Sequence, residues 1–191
     1  DFPKVPWAMP VSGKHSAHKG EWYWEYSDND LNQIDDSEAI RDHMLRAIFG
    51  SFSNAKKNPK YAPNKLTWVA YVGGKRESRR LMGDHIYDMH DAVKRREFPD
   101  AVVVEKREVD GHYQRKLKGA KEDFLSTAMF HKTGGYYYIP FRSFYSRNLS
   151  NLMMAGRCFS CTHVGLCGPR VMNTCGQMGI ATGYAAVLCK K

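Results

Sequence analysis

Nowhere in the 191 residues do eighteen apolar side chains follow one another, so no segment reads as a membrane-spanning helix. There are no internal repeats and no low-complexity tract, which excludes solenoid and array architectures. Five cysteines are an odd number, and all five fall after residue 157, so a disulfide framework is a poor reading of a chain this long. The one Cys-x-x-Cys has no second pair at a zinc-ribbon spacing. Acidic residues are few, 20 Asp plus Glu against 29 Lys plus Arg, and the formal charge of +9 favours anionic partners. That excess is diffuse, spread over Lys56 and Lys57, Lys75 to Arg80, Lys94 to Arg96 and Arg115 to Lys121, as on a solvated surface. No targeting segment is visible, and a start at Asp1-Phe2-Pro3-Lys4 without methionine reads as a processed form or a piece of a longer chain.

What is present suffices for a core: 42% of residues are apolar and 13% aromatic. Residues 1 to 20, with three prolines and two glycines, read as an irregular lead-in, and the aromatic run 21 to 26 as a half-buried strand. The clearest helix follows Asp36 and Ser37, with Ile40, Met44, Leu45 and Ile48 as its core face and Gly50 as its stop. "LTWVAYV" (66 to 72) has the composition of a buried strand ended by Gly73-Gly74. Residues 75 to 98 read as a short strand or turn broken at Gly83 and then a helix, and 100 to 109 as a strand. Residues 110 to 135 read as a polar loop. Strand character returns at 136 to 146 and briefly at 151 to 157, and a helix runs from about Arg170 to Leu188. The fold class that survives is α/β, in the mixed α+β sense.

Chemistry concentrates between Asn151 and Leu188. Cys158, Cys161, His163, Cys167 and Cys175 form a ligand set zinc accepts, the Cys-x-x-Cys is also a redox dithiol pattern, and buried small thiols are the plainer reading. A different reading takes the stretch as strand, glycine turn and helix. A helix starting near Arg170 presents unpaired N–H groups and a positive dipole end, suited to a phosphate or the electron-rich oxygen of a reduced ring cofactor. Gly156 lets a ligand approach the backbone, and Gly176, Gly179 and Gly183 let the helix pack closely on a neighbour.

Several dispersed motifs occur in one order: Ile139-Pro140-Phe141-Arg142, Ser146-Arg147-Asn148, Asn151-Leu152, Ala155-Gly156-Arg157, Ser160 to His163, and Arg170 to Cys175. With "WVAYVGGKRESRRLMGDHIYD" and "FPDAVVV" upstream, residues 20 to 188 resemble the C-terminal part of the FAD-dependent oxidoreductase family whose bacterial members often carry the label xanthan lyase-like. Two departures stand beside it: Cys167-Gly168-Pro169 replaces a glycine-serine type turn, and Cys161 sits where alanine is common. The family's G-x-G-x-x-G strand-turn-helix is not in this sequence, and Gly73-Gly74-Lys75 lacks its third glycine.

The resemblance therefore implies part of a substrate domain over residues 1–140, the returning segment of a two-domain FAD-binding fold over 141–191, and FAD as cofactor. Its partner would be an N-terminal dinucleotide-binding portion, in the same protein or a separate chain. By the same resemblance, Ala155, Gly156 and Arg157 line the ribityl and pyrophosphate side of FAD, and Arg170, Val171 and Met172 open the helix that faces the flavin ring. His163 is placed near the ring as the acceptor of a substrate hydroxyl proton, against the alternative of a hydrogen-bonded structural histidine. Among Arg76, Arg79 and Arg80, Arg79 is the favoured contact to an anionic or hydroxyl-rich substrate, although Glu77 is able to neutralise one of the three. The activity implied is hydride transfer from an alcohol, carbohydrate-like or otherwise, to FAD, with no membrane or nucleic-acid partner. A redox-neutral lyase is the second enzyme class. The non-enzyme reading is a basic module for acidic polysaccharide or nucleic acid, with Trp22, Tyr23 and Trp24 as stacking residues.

Overall fold

The computed structural model describes residues 5–10, 25–27, 30–115 and 125–190. The chain divides into two compact units, Asp1–Lys75 with His112–Ala128, and Arg76–Gly111 with Met129–Lys191. Packing defines these units, whereas the division at residue 140 expected from the resemblance concerns which ligand each part handles. The mixed class expected from the sequence is what the chain adopts, helices beside small sheets. Among the described residues no helix is long and apolar enough to cross a membrane.

The first unit is organised on α1 (Ser37–Ala55). Asp36 stands at the N-cap position, but its carboxylate accepts from the Asn32 N–H at 2.8 Å, leaving the helix start without a side-chain cap. The expected face of Ile40, Met44, Leu45 and Ile48 is only half-buried, and Gly50 does not end the helix. The buried residues are instead Ala47, Gly50, Ser51, Asn54 and Ala55, a stripe of small side chains at intervals of three and four, with Phe52 beside it as the one large buried side chain. Small residues let a neighbouring segment close in: Met9 is buried and donates its N–H to Arg46 O at 3.0 Å, and Trp7 rests on Phe49 with ring centroids 5.0 Å apart. Residues 25–27 are tied down by polar bonds, Ser126 Oγ donating to Glu25 at 2.6 Å and the Ser27 N–H to Gln114 Oε1 at 2.8 Å. The strand expected over 21–26 lies largely outside the described residues, and Glu25 and Tyr26 are not in a strand.

The strand expected over 66–72 is absent. That segment is irregular and open to solvent, with Trp68 78% and Tyr71 77% exposed. β-branched and aromatic residues favour a pleated surface only where a partner strand supplies one.

The second unit has the larger apolar core. β1 (Ala101–Glu105) pairs antiparallel with β4 (Tyr137–Pro140), Val103 opposite Ile139 and Glu105 opposite Tyr137, with an irregularity between Ala101 and Val103. Val103, Tyr137 and Ile139 point inward while Val102, Val104 and Tyr138 face out, the period-2 alternation of a sheet covered on one side. β2 (Val109–Arg115) and β3 (Leu125–His131) form a second two-stranded ladder where a polar loop was expected over 110–135. Its ladder satisfies backbone groups without an apolar run to announce it.

Residues 81–87 of the second unit are threaded along the chain's last third. Leu81 N–H donates to Cys158 O at 3.0 Å, His85 N–H to Arg142 O at 3.2 Å and Tyr87 N–H to Ser160 O at 3.0 Å, while Thr162 N–H returns to Tyr87 O at 2.8 Å. A segment whose N–H groups are spent this way is not available to a helix, so the helix expected in 75–98 contracts to α2 (Met89–Val93), closed by a capping box of Asp88 and Asp91. The apolar strand expected at 151–157 reduces to a single bridge, Met153 with Tyr145, followed by a 3₁₀ turn at Gly156–Cys158. The terminal helix is observed close to expectation as α4 (Met172–Leu188). The side chains of Tyr87, Ala92, Val103, Val109, Tyr137, Ile139, Phe144, Phe159, Leu166 and Met178 form the core that holds these pieces together.

Candidate functional site

The stretch from Ala155 to Met172 turns four times, each time for a local reason. Gly156 has φ of +79°, a left-handed conformation that a side chain rarely adopts, and the space where a Cβ would stand is open. The 3₁₀ turn it begins packs against α4. Thr162 then caps α3 (His163–Leu166), its Oγ1 accepting from the Gly165 N–H at 3.1 Å. A Cβ at Gly165 would lie 2.5 Å from Tyr87 O, so only glycine lets α3 close onto residues 87 and 88. The turn 167–170 ends on Arg170, whose guanidinium donates to Asp110 O at 3.1 Å and stands 3.7 Å from the Asp110 carboxylate.

α4 begins immediately after. Its N-cap, Val171, has no side chain able to accept from the first-turn N–H groups, and Met172 is 91% exposed. The helix is fixed lower down, by Thr174 Oγ1 bonded to the Glu105 carboxylate, by Gln177 Oε1 accepting from Val104 N–H at 3.2 Å, and by buried Met178. The result is a helix end that is rigidly held yet uncapped, carrying partial positive charge into an open space. Beside it is the turn containing Ala155, Gly156 and Arg157, of which Ala155 and Arg157 are exposed. The structure packs the turn at 156–158 on α4, whose Cys175, in the first turn, feels the charge of Arg157.

His163 opens α3 and is 56% exposed on its side chain. Its Nδ1 pairs with Glu77 Oε2, Glu77 Oε1 pairs with Arg80, and Arg80 Nε donates to Cys161 O at 2.8 Å. The Glu77 hydrogen bond raises the His163 pKa above the usual 6.5, against partial burial and the charges of Arg80 and Arg170. Burial alone would raise the Glu77 carboxyl, but the bonds and charges of His163 and Arg80 outweigh it and hold it below 4.5. Arg80 is therefore the arginine that joins His163, and Glu77 does neutralise one of the three. Arg79 is exposed. The spacing of Glu77 and Arg80 was visible in the sequence, but a partner 86 positions away was not.

The thiols divide by exposure. Cys158 and Cys189 are exposed, Cys175 is half-buried, and Cys161 and Cys167 are buried. Burial pushes the Cys161 and Cys167 thiols well up, away from the thiolate that a metal or a redox reaction needs. Among the described residues no three His, Cys, Asp or Glu side chains come together in a way that would hold a metal ion.

A family model described as FAD dependent oxidoreductase matches residues 7–191. The chain belongs to the FAD dependent oxidoreductase family. No curated protein and no solved structure matches it. The family resemblance seen in the motifs is thereby borne out, and FAD is the cofactor that membership implies. The residues present fit such a group: an uncapped helix start suits a phosphate or an electron-rich ring oxygen, and Gly156 leaves the backbone approachable.

Proposed function

We propose that the chain is part of a flavin-dependent oxidoreductase that removes a hydride from an alcohol, of carbohydrate-like type. The observation that carries the reading is the uncapped start of α4 next to the Gly156 turn. In this reading Ala155, Gly156 and Arg157 follow the ribityl and pyrophosphate part of FAD, and Arg170, Val171 and Met172 bring the positive helix end to the flavin ring. Positive potential there stabilises charge that develops as the ring is reduced. FAD supplies the acceptor for two electrons; the chain's own residues handle the proton and the substrate. His163 takes the hydroxyl proton while the hydride leaves the same carbon, so the alcohol becomes a carbonyl compound. Arg79, exposed along the same run as Glu77 and Arg80, meets the anionic or hydroxyl-rich part of the substrate.

The dinucleotide-binding portion bearing G-x-G-x-x-G is, in this proposal, supplied by polypeptide outside these residues, in the same protein or another chain. Large apolar side chains in the open on α4, Ile180, Tyr184 and Val187, support a further partner surface.

The test is reconstitution of the full-length protein with FAD. A yellow protein whose flavin bleaches anaerobically with a polyol or sugar supports the reading. A protein that takes up no FAD defeats it, and turnover to an unsaturated product with the flavin colour unchanged selects a redox-neutral lyase instead.

A further inference from the structure

A histidine accepting a proton from a hydroxyl needs one nitrogen open and the other occupied, and the surroundings of His163 are built that way. The Glu77 carboxylate beside Nδ1 is 18% exposed, against 56% for the imidazole. Its second oxygen is held by Arg80, and Arg80 is in turn anchored on the Cys161 carbonyl, one residue before the Thr162 that caps α3. Each member of this chain fixes the next, ending on the backbone of the very turn that carries His163. Among the described residues Nε2 has no hydrogen-bond partner.

We propose that Glu77 is the positioning residue for His163: it accepts the Nδ1–H bond, fixes the neutral ring in that tautomer, and leaves Nε2 as the proton-accepting nitrogen. Arg80 holds Glu77 in place. The inference rests on the reading of His163 as the base for an alcohol. The charged groups facing the ring are Glu77, Arg80 and Arg170, with the Cys167 thiol donating to the His163 carbonyl at 3.5 Å. Only Glu77 favours the protonated ring, so removing its charge has one direction: the ring titrates lower.

The experiment uses the FAD-loaded full-length protein with ¹⁵N-labelled histidine, the His163 signals assigned by their loss in His163→Asn. In the parent, the ring shows a single Nδ1–H tautomer when neutral and a titration midpoint above 6.5. In Glu77→Gln, isosteric and uncharged, the midpoint falls and the two tautomers mix; Glu77→Asp keeps the raised midpoint in part. The rate of flavin bleaching by alcohol against pH moves with it, its rising limb shifting to lower pH and its plateau falling roughly 10-fold, a fraction of the roughly 10²–10⁴-fold that general-base catalysis contributes, while KM is unchanged. An unaltered tautomer and midpoint in Glu77→Gln would overturn the proposal. A ring that responds to Glu77→Gln in a protein whose flavin no alcohol bleaches leaves the positioning intact and removes the alcohol reading instead.

Discussion

One substitution, glycine to alanine, has opposite consequences at two helical positions of this chain. In α3, a Cβ at Gly165 would lie 2.5 Å from Tyr87 O, 2.9 Å from Asp88 Cα and 3.0 Å from Thr162 Oγ1. Reaching even a close carbon–oxygen contact of about 3.3 Å requires the two backbone segments to part by roughly 0.8 Å. The two nearest obstacles are backbone atoms rather than the loose end of a side chain, and the Thr162 to Tyr87 hydrogen bond of 2.8 Å resists the opening. Overpacking of this kind costs about 1–3 kcal/mol, and the ~1 kcal/mol that alanine gains in helix propensity offsets part of it. In α4, a Cβ at Gly179 meets nothing within 4 Å, so only the propensity gain of about 1 kcal/mol remains. Gly165→Ala is expected to lower Tm by up to roughly 8 °C and Gly179→Ala to raise it by roughly 2–4 °C, at about 2–4 °C per kcal/mol for a chain of this size. Differential scanning calorimetry of the two variants beside the parent decides it. A Gly165→Ala protein stabilised as much as Gly179→Ala would refute the close approach of α3 to residues 87 and 88.

Three further outcomes follow from other contacts. In the folded protein a thiol reagent should label Cys158 and Cys189 quickly and Cys161 and Cys167 slowly, with all five reacting in denaturant; fast labelling of Cys161 would contradict its burial. Asp91→Ala should destabilise by about 2–3 kcal/mol in urea unfolding, because this buried carboxylate caps α2 and bonds His85 Nε2 at 2.7 Å, and its loss strands both. The Glu77–His163 pair should contribute most between pH 4.5 and 6.5. The lowered Glu77 pKa means its contribution is lost as pH falls through the folded value, and the raised His163 pKa means loss as pH rises through its own. With the ring more than half exposed the effect stays below about 1 kcal/mol, read as the difference in urea midpoint between parent and Glu77→Gln across that range.

Legibility in the sequence followed how local the cause was. α4 was readable because a long run of small and apolar residues after a turn has few alternatives, and β1 and β4 because β-branched and aromatic residues are concentrated there. The core face of α1 was misread because most of what is buried there is small, Ala47, Gly50, Ser51, Asn54 and Ala55 beside the single bulky Phe52, and small residues do not mark a face by hydrophobicity. β2 and β3 escaped because their strands, such as "VDGHYQR", carry polar residues whose pairing is invisible to periodicity. The site was half legible: the glycine turn and helix start came from neighbouring residues, and the Glu77 to His163 pairing depends on a fold-wide approach that no window contains.

The threading of residues 81–87 against 158–162 has a consequence for synthesis. Each backbone bond in that seam joins points more than seventy residues apart, and β1 likewise waits for β4. Growing on a ribosome, the interior segment of the second unit emerges long before the edge that covers it. A chain halted before Cys158 would leave Tyr87 without its cover, which makes the residues from Cys158 onward the fastening of the unit.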